Sequence, residues 1–184
     1  MSVVNGDCYL FNPIEIEDLD WTNVQIDCKD KLDSNSLIIR PLKIDDYGRG
    51  HIKLLSQLTV VGDVSQQEYE DRFKLMKETK LIKTVVIEDT NSNLIAGTAT
   101  LLCEPKFIHS CSWTGHVQDV CVDNSYRGIG LGKLIVNCLK LLAQKLGAYK
   151  VDLDCADEKI RFYNGLGFKQ ESGRANYLAL RFPN

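Results

Sequence analysis

A chain of 184 residues has the length of one domain and is large enough to bury a real core. Hydrophobic residues make up 44% and charged residues 26%, the balance of a globular protein, and a formal net charge of −3 argues against nucleic-acid or anionic-membrane partners. No apolar run is long enough to span a bilayer, and the first residues lack the charged, apolar and small-residue order of a signal peptide.

Residues 1–36 are mostly polar and acidic, with a weak apolar cluster of Tyr9, Leu10, Phe11 and Trp21. They are expected to drape as an extension on a domain of residues 37–184. Leu37 to Leu42 reads as a short strand whose Pro41 marks an end or an edge. Asp45 and Asp46 can cap a helix running through Gly50 to Leu58. Ser65 followed by Glu68 is a capping box, and Tyr69, Phe73 and Met76 continue it at helical spacing. Thr84 to Glu88 and Leu94 to Cys103 are apolar and β-branched around a polar turn, Asp89 to Asn93, and predict a hairpin. A looser connection, Lys106 to Trp113, leads to a strand from His116 to Asp123. After Gly132, the residues Leu134, Ile135, Cys138, Leu139, Leu142 and Leu146 line one face of an amphipathic helix that Gly147 can terminate. Tyr149 to Cys155 predicts a strand, Asp157 to Leu166 a short helix, and Asn176 to Phe182 a last strand. The order implies an α/β domain with a mixed central sheet flanked by helices.

Seven cysteines are scattered without a Cys-x-x-Cys pair, and His51, His109 and His116 lack metal-motif spacing with them. Buried reduced thiols are the expected reading, with no metal site. That places the chain in a reducing compartment, the cytoplasm.

The segment Asp123-Asn124-Ser125-Tyr126-Arg127-Gly128-Ile129-Gly130-Leu131-Gly132-Lys133 joins a strand to the long helix. Its glycines let backbone N–H groups approach a ligand, and the helix N-terminus favours an anion. A Walker A loop would need glycine at Arg127 and a hydroxyl at Leu134; a dinucleotide fingerprint would need glycine at Lys133. The plain structural alternative is a tight turn. Arg-x-x-Gly-x-Gly after a strand instead resembles the coenzyme A pyrophosphate loop of the GCN5-related N-acetyltransferase (GNAT) superfamily.

Within that superfamily, the segments Gly115 to Val122, Tyr149 to Cys155 and Phe162 to Phe168 resemble the glucosamine 6-phosphate N-acetyltransferase branch. Gln57-Leu58-Thr59, Lys106 to His109 and Leu180-Arg181-Phe182 add to the likeness, which spans residues 37–182. Leu10 to Pro13 and Asp20-Trp21 look like the extension of animal members. The resemblance implies direct acetyl transfer from acetyl-CoA, bound between splayed strands, to the 2-amine of glucosamine 6-phosphate. The product, N-acetylglucosamine 6-phosphate, feeds the hexosamine pathway to UDP-N-acetylglucosamine. It also implies a homodimer that exchanges C-terminal strands.

Carried over residue by residue, the resemblance puts the pantetheine arm on the backbone of Val120, Cys121 and Val122. The pyrophosphate falls on Arg127, Gly128, Ile129, Gly130, Leu131, Gly132 and Lys133. Asp154 would orient the amine or help remove its proton, and Tyr163 would give a proton to the departing thiolate. Thr59, Lys106, His109, Gln118, Asp119, Asp154 and Arg181 would meet the sugar phosphate, Arg181 from the neighbouring subunit. Without the resemblance, Val120 and Val122 read as core strand residues, Asp154 as a cap before Asp157, and Tyr163 as core. Lys106, His109 and Arg181 then read as surface residues, and Thr59 as a helix-end cap. One departure stands out: the branch commonly has Glu-Asp where this chain has Gln118-Asp119. Gln118 is harmless if that contact runs through the backbone, and raises the apparent pKa for turnover if a carboxylate drains the proton. Two other readings remain open. A protein or peptide amine could be the acceptor, or the chain could sense acyl-CoA without transferring it.

Overall fold

The apolar and β-branched stretches pair into one five-stranded sheet ordered β1 (Leu37–Pro41), β2 (Ile82–Asp89), β3 (Leu94–Pro105), β4 (Trp113–Val122) and β5 (Ala148–Asp152). The structure is a computed structural model that describes residues 8–171 and 173. The expected last strand, with Arg181, lies outside them. Strands β1 to β4 are antiparallel neighbours, whereas β5 runs parallel to β4. A parallel pair needs a crossover, which α6 (Leu131–Lys145) supplies.

The apolar face of α6 is the centre of the core: Leu134, Ile135, Cys138, Leu139 and Leu142 are buried against the sheet. Each such side chain contributes about 1.5–3 kcal/mol on burial. Gly147 follows the helix at φ +81, the left-handed conformation that ends helices. The other face of the sheet carries α3 (His51–Leu55) and α4 (Gln66–Thr79). The capping box opens α4 as expected. Ser65 Oγ accepts from the Glu68 N–H at 3.3 Å, and the Glu68 carboxylate accepts from the Ser65 N–H at 2.8 Å.

The helix expected from Asp45 to Leu58 is broken. A 3₁₀ turn, Ile44–Tyr47, is followed by Gly50 at φ +84, and α3 spans only His51–Leu55. Asp46 caps the start of this 3₁₀ turn, as expected, and is at the same time buried in the core. It accepts two bonds from Arg40, at 2.8 and 2.7 Å, and a third from the Lys43 N–H at 2.7 Å. Glu88 bridges Arg40 and Arg49, each at 2.6 Å, so two guanidinium forks and two carboxylates tie β1, β2 and the turn together.

Residues 8–36 contribute Leu10, Phe11, Ile16, Leu19 and Cys28 to the core. Two short helices, α1 (Ile14–Glu17) and α2 (Lys29–Asp33), carry this segment. Glu15 reaches Lys83 at 2.8 Å, and the Leu10 N–H donates to the Leu42 carbonyl at 2.8 Å. Among the described residues no helix is long and apolar enough to cross a membrane.

Two irregularities shape the site. Between Gln118 and Cys121 the β4 strand holds one residue more than β3 does between Thr98 and Thr100. The surplus is a β-bulge at Asp119, whose φ is +52. In addition, β4 and β5 pair only from Trp113 to His116, so the strands part beyond His116 and Asp152. The flank of β4 from Val117 to Val122 is left without a β5 partner.

Candidate active site

At the mouth of the splay, β4 runs directly into the glycine turn. Asp123 starts that turn by accepting from the Ser125 N–H at 2.8 Å. Gln57, just beyond α3, holds it from outside: its amide donates to Asp123 Oδ2 at 2.6 Å and accepts from the Asn124 N–H at 3.0 Å. Tyr126 donates to Asp89. Arg127 Nε lies 3.4 Å from the Val122 carbonyl and donates to it. Gly128 and Gly130 follow at φ +83 and +89, conformations that side chains resist. Gly130 is the N-cap of α6, so the free N–H groups of its first turn emerge here. Space for a ligand exists: a Cβ at Gly128 would meet nothing within 4 Å.

The side chains of this stretch divide into two sets. Leu131 and Cys121 point into the core, and Cys121 Sγ donates to the Leu54 carbonyl at 3.3 Å. Only their backbones are available to a ligand. Lys133 stays at the surface, bonded at 2.8 Å to Asp27 from the N-terminal segment. Gly130 lies so close to that segment that a Cβ would stand 2.6 Å from Asp27 Cβ. Sequence patterning gave no sign of this approach, which joins residues far apart in the chain.

Across the splay, β5 ends at Asp152, three residues before the expected end, Cys155. Asp154 therefore stands in the loop beyond the strand rather than on it, with its side chain largely exposed. Tyr163 lies on α7 (Ile160–Asn164), edge-on to Phe162 and Phe168 at 5.0 and 5.9 Å. Burial, with the Cys155 thiol nearby, pushes its phenol above the ordinary tyrosine value, so it stays protonated at neutral pH. The Phe162 ring would touch a Cβ at Gly132 at 3.4 Å, which couples the α7 helix to the glycine turn.

Neither nearby cysteine is activated. Burial raises the Cys121 thiol, and burial with Asp157, Asp154 and Glu158 raises that of Cys155. Among the described residues no group of three or more His, Cys, Asp or Glu side chains could hold a metal ion.

His116 is the site residue that motif reading missed. Its Nδ1 is 2.6 Å from Asp152 Oδ1, and its Nε2 is 3.8 Å from Asp154 Oδ2. Only the β4–β5 register reveals this, because it sets His116 opposite Asp152.

Of the expected phosphate ligands, Lys106 and His109 lie toward the other end of β5 from Asp154. His109 stacks on Tyr149 with ring centroids 4.0 Å apart, at the start of β5. Asp154 lies five residues further along the extended chain, roughly 16 Å away at about 3.3 Å per residue. That is further than a hexose phosphate spans. Lys106 pairs with Glu104 at the same end of the sheet. His109, Ser110 and Cys111 have φ of +51, +57 and +59, so the turn α5 (Ile108–Cys111) winds left-handed. Such a turn costs about 1–2 kcal/mol per residue. Beside it Phe107 is 97% exposed. Thr59 is exposed after α3, and Gln118 and Asp119 are exposed at the bulge. Asp119 also lines a cavity of about 780 Å³ with His51, Tyr69, Thr84, Thr98 and Thr100, between α4 and the sheet.

An antiparallel sheet splayed from a parallel last strand, with a glycine turn opening a crossover helix, defines an acetyltransferase of the GNAT class. Residues 81–170 match the acetyltransferase (GNAT) domain model. A Drosophila melanogaster protein, "Probable glucosamine 6-phosphate N-acetyltransferase", is 41% identical over 99% of this chain and 85% of its own length. The Arabidopsis thaliana glucosamine 6-phosphate N-acetyltransferase is 40% identical over 73% of this chain and 91% of its own. A crystal structure of the Arabidopsis enzyme superposes with a TM-score of 0.73 at 38% identity, covering 77% of this chain and 97% of that one. The chain belongs to the glucosamine 6-phosphate N-acetyltransferase family.

Proposed function

We propose that this chain transfers the acetyl group of acetyl-CoA directly to the 2-amine of D-glucosamine 6-phosphate, giving N-acetyl-D-glucosamine 6-phosphate for UDP-N-acetylglucosamine synthesis. The observation that carries the reading is the parting of β4 from β5 immediately before a glycine turn at the N-terminus of α6. The open backbone of Val120, Cys121 and Val122 would hold the pantetheine arm as an added strand. Arg127, Gly128, Ile129, Gly130, Leu131, Gly132 and Lys133 would hold the pyrophosphate through backbone N–H groups and two cations. When bound, acetyl-CoA supplies the activated acetyl group. A backbone N–H around Val120 would polarise its carbonyl oxygen.

The acceptor's amine must lose a proton before it attacks, and Asp154 orients it. Tyr163, kept protonated by its apolar surroundings, returns a proton to the departing thiolate. Thiols raised by burial support transfer without an acetyl-enzyme. The cavity beside Asp119 is large enough for a hexose phosphate. Gln118 and Thr59 border the same side of the sheet.

Lys106 and His109 lie too far from Asp154 to share one sugar phosphate with it. We assign them, with Arg181, to the neighbouring site of a homodimer that exchanges C-terminal strands. The exposed Phe107 and Ile108, between Lys106 and His109 in the chain, support burial by a partner. Residues 1–36 are the extension to an acetyltransferase domain of 37–184, and within that extension residues 8–36 add side chains to the core. Cys28, Cys103, Cys111, Cys121, Cys138 and Cys155 are free thiols, which supports a cytoplasmic location.

The test is free-thiol release from acetyl-CoA with glucosamine 6-phosphate, glucosamine and a lysine peptide as parallel acceptors. Rapid turnover with the phosphorylated sugar alone establishes the reading. Turnover with the peptide alone keeps the fold and co-substrate but overturns the acceptor, and silence with all three leaves an acyl-CoA sensor.

A further inference from the structure

Deprotonating the acceptor poses a problem that Asp154 does not solve. A carboxylate attracts an ammonium ion and stabilises it, yet it is a weak base toward an amine near neutral pH. The group needed is one whose ordinary pKa lies near neutrality, close to Asp154 and open to solvent. Imidazole is that group.

His116 meets each requirement. It stands on β4 opposite Asp152 of β5, the last pair before the strands part, and so at the apex of the splay. Its Nδ1 is 2.6 Å from Asp152, its Nε2 is 3.8 Å from Asp154, and its side chain is about a quarter exposed, at 27%. Burial raises the Asp152 carboxyl, but hydrogen bonds from Lys150 and His116, with their charges, outweigh it. The net pKa lies below the ordinary range. An ionised Asp152 can only accept, so Nδ1 bears the proton and the Nε2 lone pair faces Asp154. The surrounding charges are few. On β5 they are Asp152 and Lys150, 2.7 Å apart, with Asp154 beyond them. On β3 the residue opposite His116 is Leu102, and the nearby Glu104 is paired with Lys106.

We propose that His116, fixed by Asp152, is the positioning residue that takes up the sugar's ammonium proton through Asp154. This rests on the acetyl-transfer reading above. The N–H bond of the ammonium breaks and its electron pair stays on nitrogen, ready to attack. Asp154 passes the proton to the Nε2 lone pair. The imidazolium formed lies between two carboxylates and returns the proton to solvent before the next turnover. The Asp152–His116–Asp154 row therefore performs the drainage that Gln118, lacking a carboxylate, cannot.

The experiment is the pH dependence of kcat for thiol release with glucosamine 6-phosphate, in the full-length chain and its His116→Gln and Asp152→Asn variants. His116→Gln is expected to lower kcat about 10²-fold near neutral pH, with unchanged KM for acetyl-CoA. Its rate should recover toward wild type at high pH, where the free amine predominates in solution. Asp152→Asn removes an anion beside the imidazolium, so the acid limb of kcat should move to lower pH. It should do so without change in the thermal melt beyond that of His116→Gln. If His116→Gln fails to fold, the limb shift in Asp152→Asn carries the decision. A wild-type acid limb retained unaltered in every variant that folds overturns the assignment. A wild type that ignores glucosamine 6-phosphate overturns the underlying acetyl-transfer reading, and that result appears before any variant is compared.

Discussion

The contact between the N-terminal segment and the glycine turn makes a prediction whose size can be worked out in advance. Gly128 and Gly130 both have positive φ, at +83 and +89, so alanine at either incurs left-handed strain of about 1–2 kcal/mol. At Gly128 that is the whole cost, since the new Cβ meets no atom within 4 Å. At Gly130 the Cβ would stand 2.6 Å from Asp27 Cβ and 3.1 Å from its Oδ2, and a Cβ cannot swing away. Overpacking of this kind adds about 1–3 kcal/mol. Gly128→Ala should therefore lower Tm by roughly 2–8 °C and Gly130→Ala by roughly 4–20 °C, at about 2–4 °C per kcal/mol for a domain of this size. The assay is thermal unfolding of the two variants, of Asp27→Gly, and of Asp27→Gly combined with Gly130→Ala. Asp27→Ala is not a substitute, because it keeps the offending atom. The double variant should recover the overpacking, seen as a coupling of about 1–3 kcal/mol between positions 27 and 130. Equal losses at Gly128 and Gly130, with no coupling to Asp27, would refute the close approach.

Other consequences can be checked one at a time. Tyr163→Phe should lower kcat by roughly 10–10³-fold with little change in KM for acetyl-CoA, and an unaltered rate removes Tyr163 from the chemistry. His51 is buried between Tyr69 and Thr98, 3.1 Å from each hydroxyl, and burial pushes its pKa down to about 4. As pH falls from the ordinary 6.5 toward that value, the unfolded chain takes up a proton that the folded one refuses. His51 thus stabilises the fold fully above this window and loses on the order of 3 kcal/mol across it. In urea titrations His51→Asn should lack that part of the acid-side decline; a wild-type-minus-variant difference independent of pH would refute this. Asp46→Asn leaves Arg40 and Arg49 sharing Glu88 with one positive charge in excess, and should cost about 3–5 kcal/mol by chemical denaturation. A cost below about 1 kcal/mol would show that the cluster adapts. Thr114 buries a hydroxyl with no hydrogen-bond partner, so Thr114→Val should raise stability by about 1 kcal/mol, and a loss would show that the hydroxyl is satisfied.

What was legible in the sequence was what short-range spacing encodes. Ser65 and Glu68 are three positions apart, and the α6 residues repeat every three or four, so the helices they open and line could be read directly. The glycine turn was legible because Arg127 and its glycines are contiguous. Features made by distant residues were not. Arg40 pairs with Asp46 in the core, and the expected long helix is broken at Gly50, whose φ is +84. Of the five core side chains in residues 8–36, Leu10 and Phe11 showed as an apolar cluster, but Ile16, Leu19 and Cys28 did not, because isolated apolar residues show no period when their partners lie elsewhere. The His116–Asp152 pair depends on a parallel register that neither strand encodes alone. The distance between His109 and Asp154 likewise emerged only when β5 had a direction.

The surplus residue at Asp119 sets the two halves of β4 out of phase. Before it, His116 and Gln118 share one side of the strand; after it, Cys121 occupies that side and reaches toward α3. Val122 accordingly turns to the α6 side, against Gly97 and Gly132. Parity along this strand is thus a local property, and counting odd and even positions from Trp113 misassigns everything past the bulge. Removing Asp119 would return the strand to regular alternation: Gln118 and Cys121 would share a side as alternate residues, Val122 would keep the opposite one, and the bulge with its positive-φ backbone would be lost. For this strand length, as much as residue identity, decides which side chains reach each face, and one residue fewer would erase the bulge while leaving composition nearly untouched.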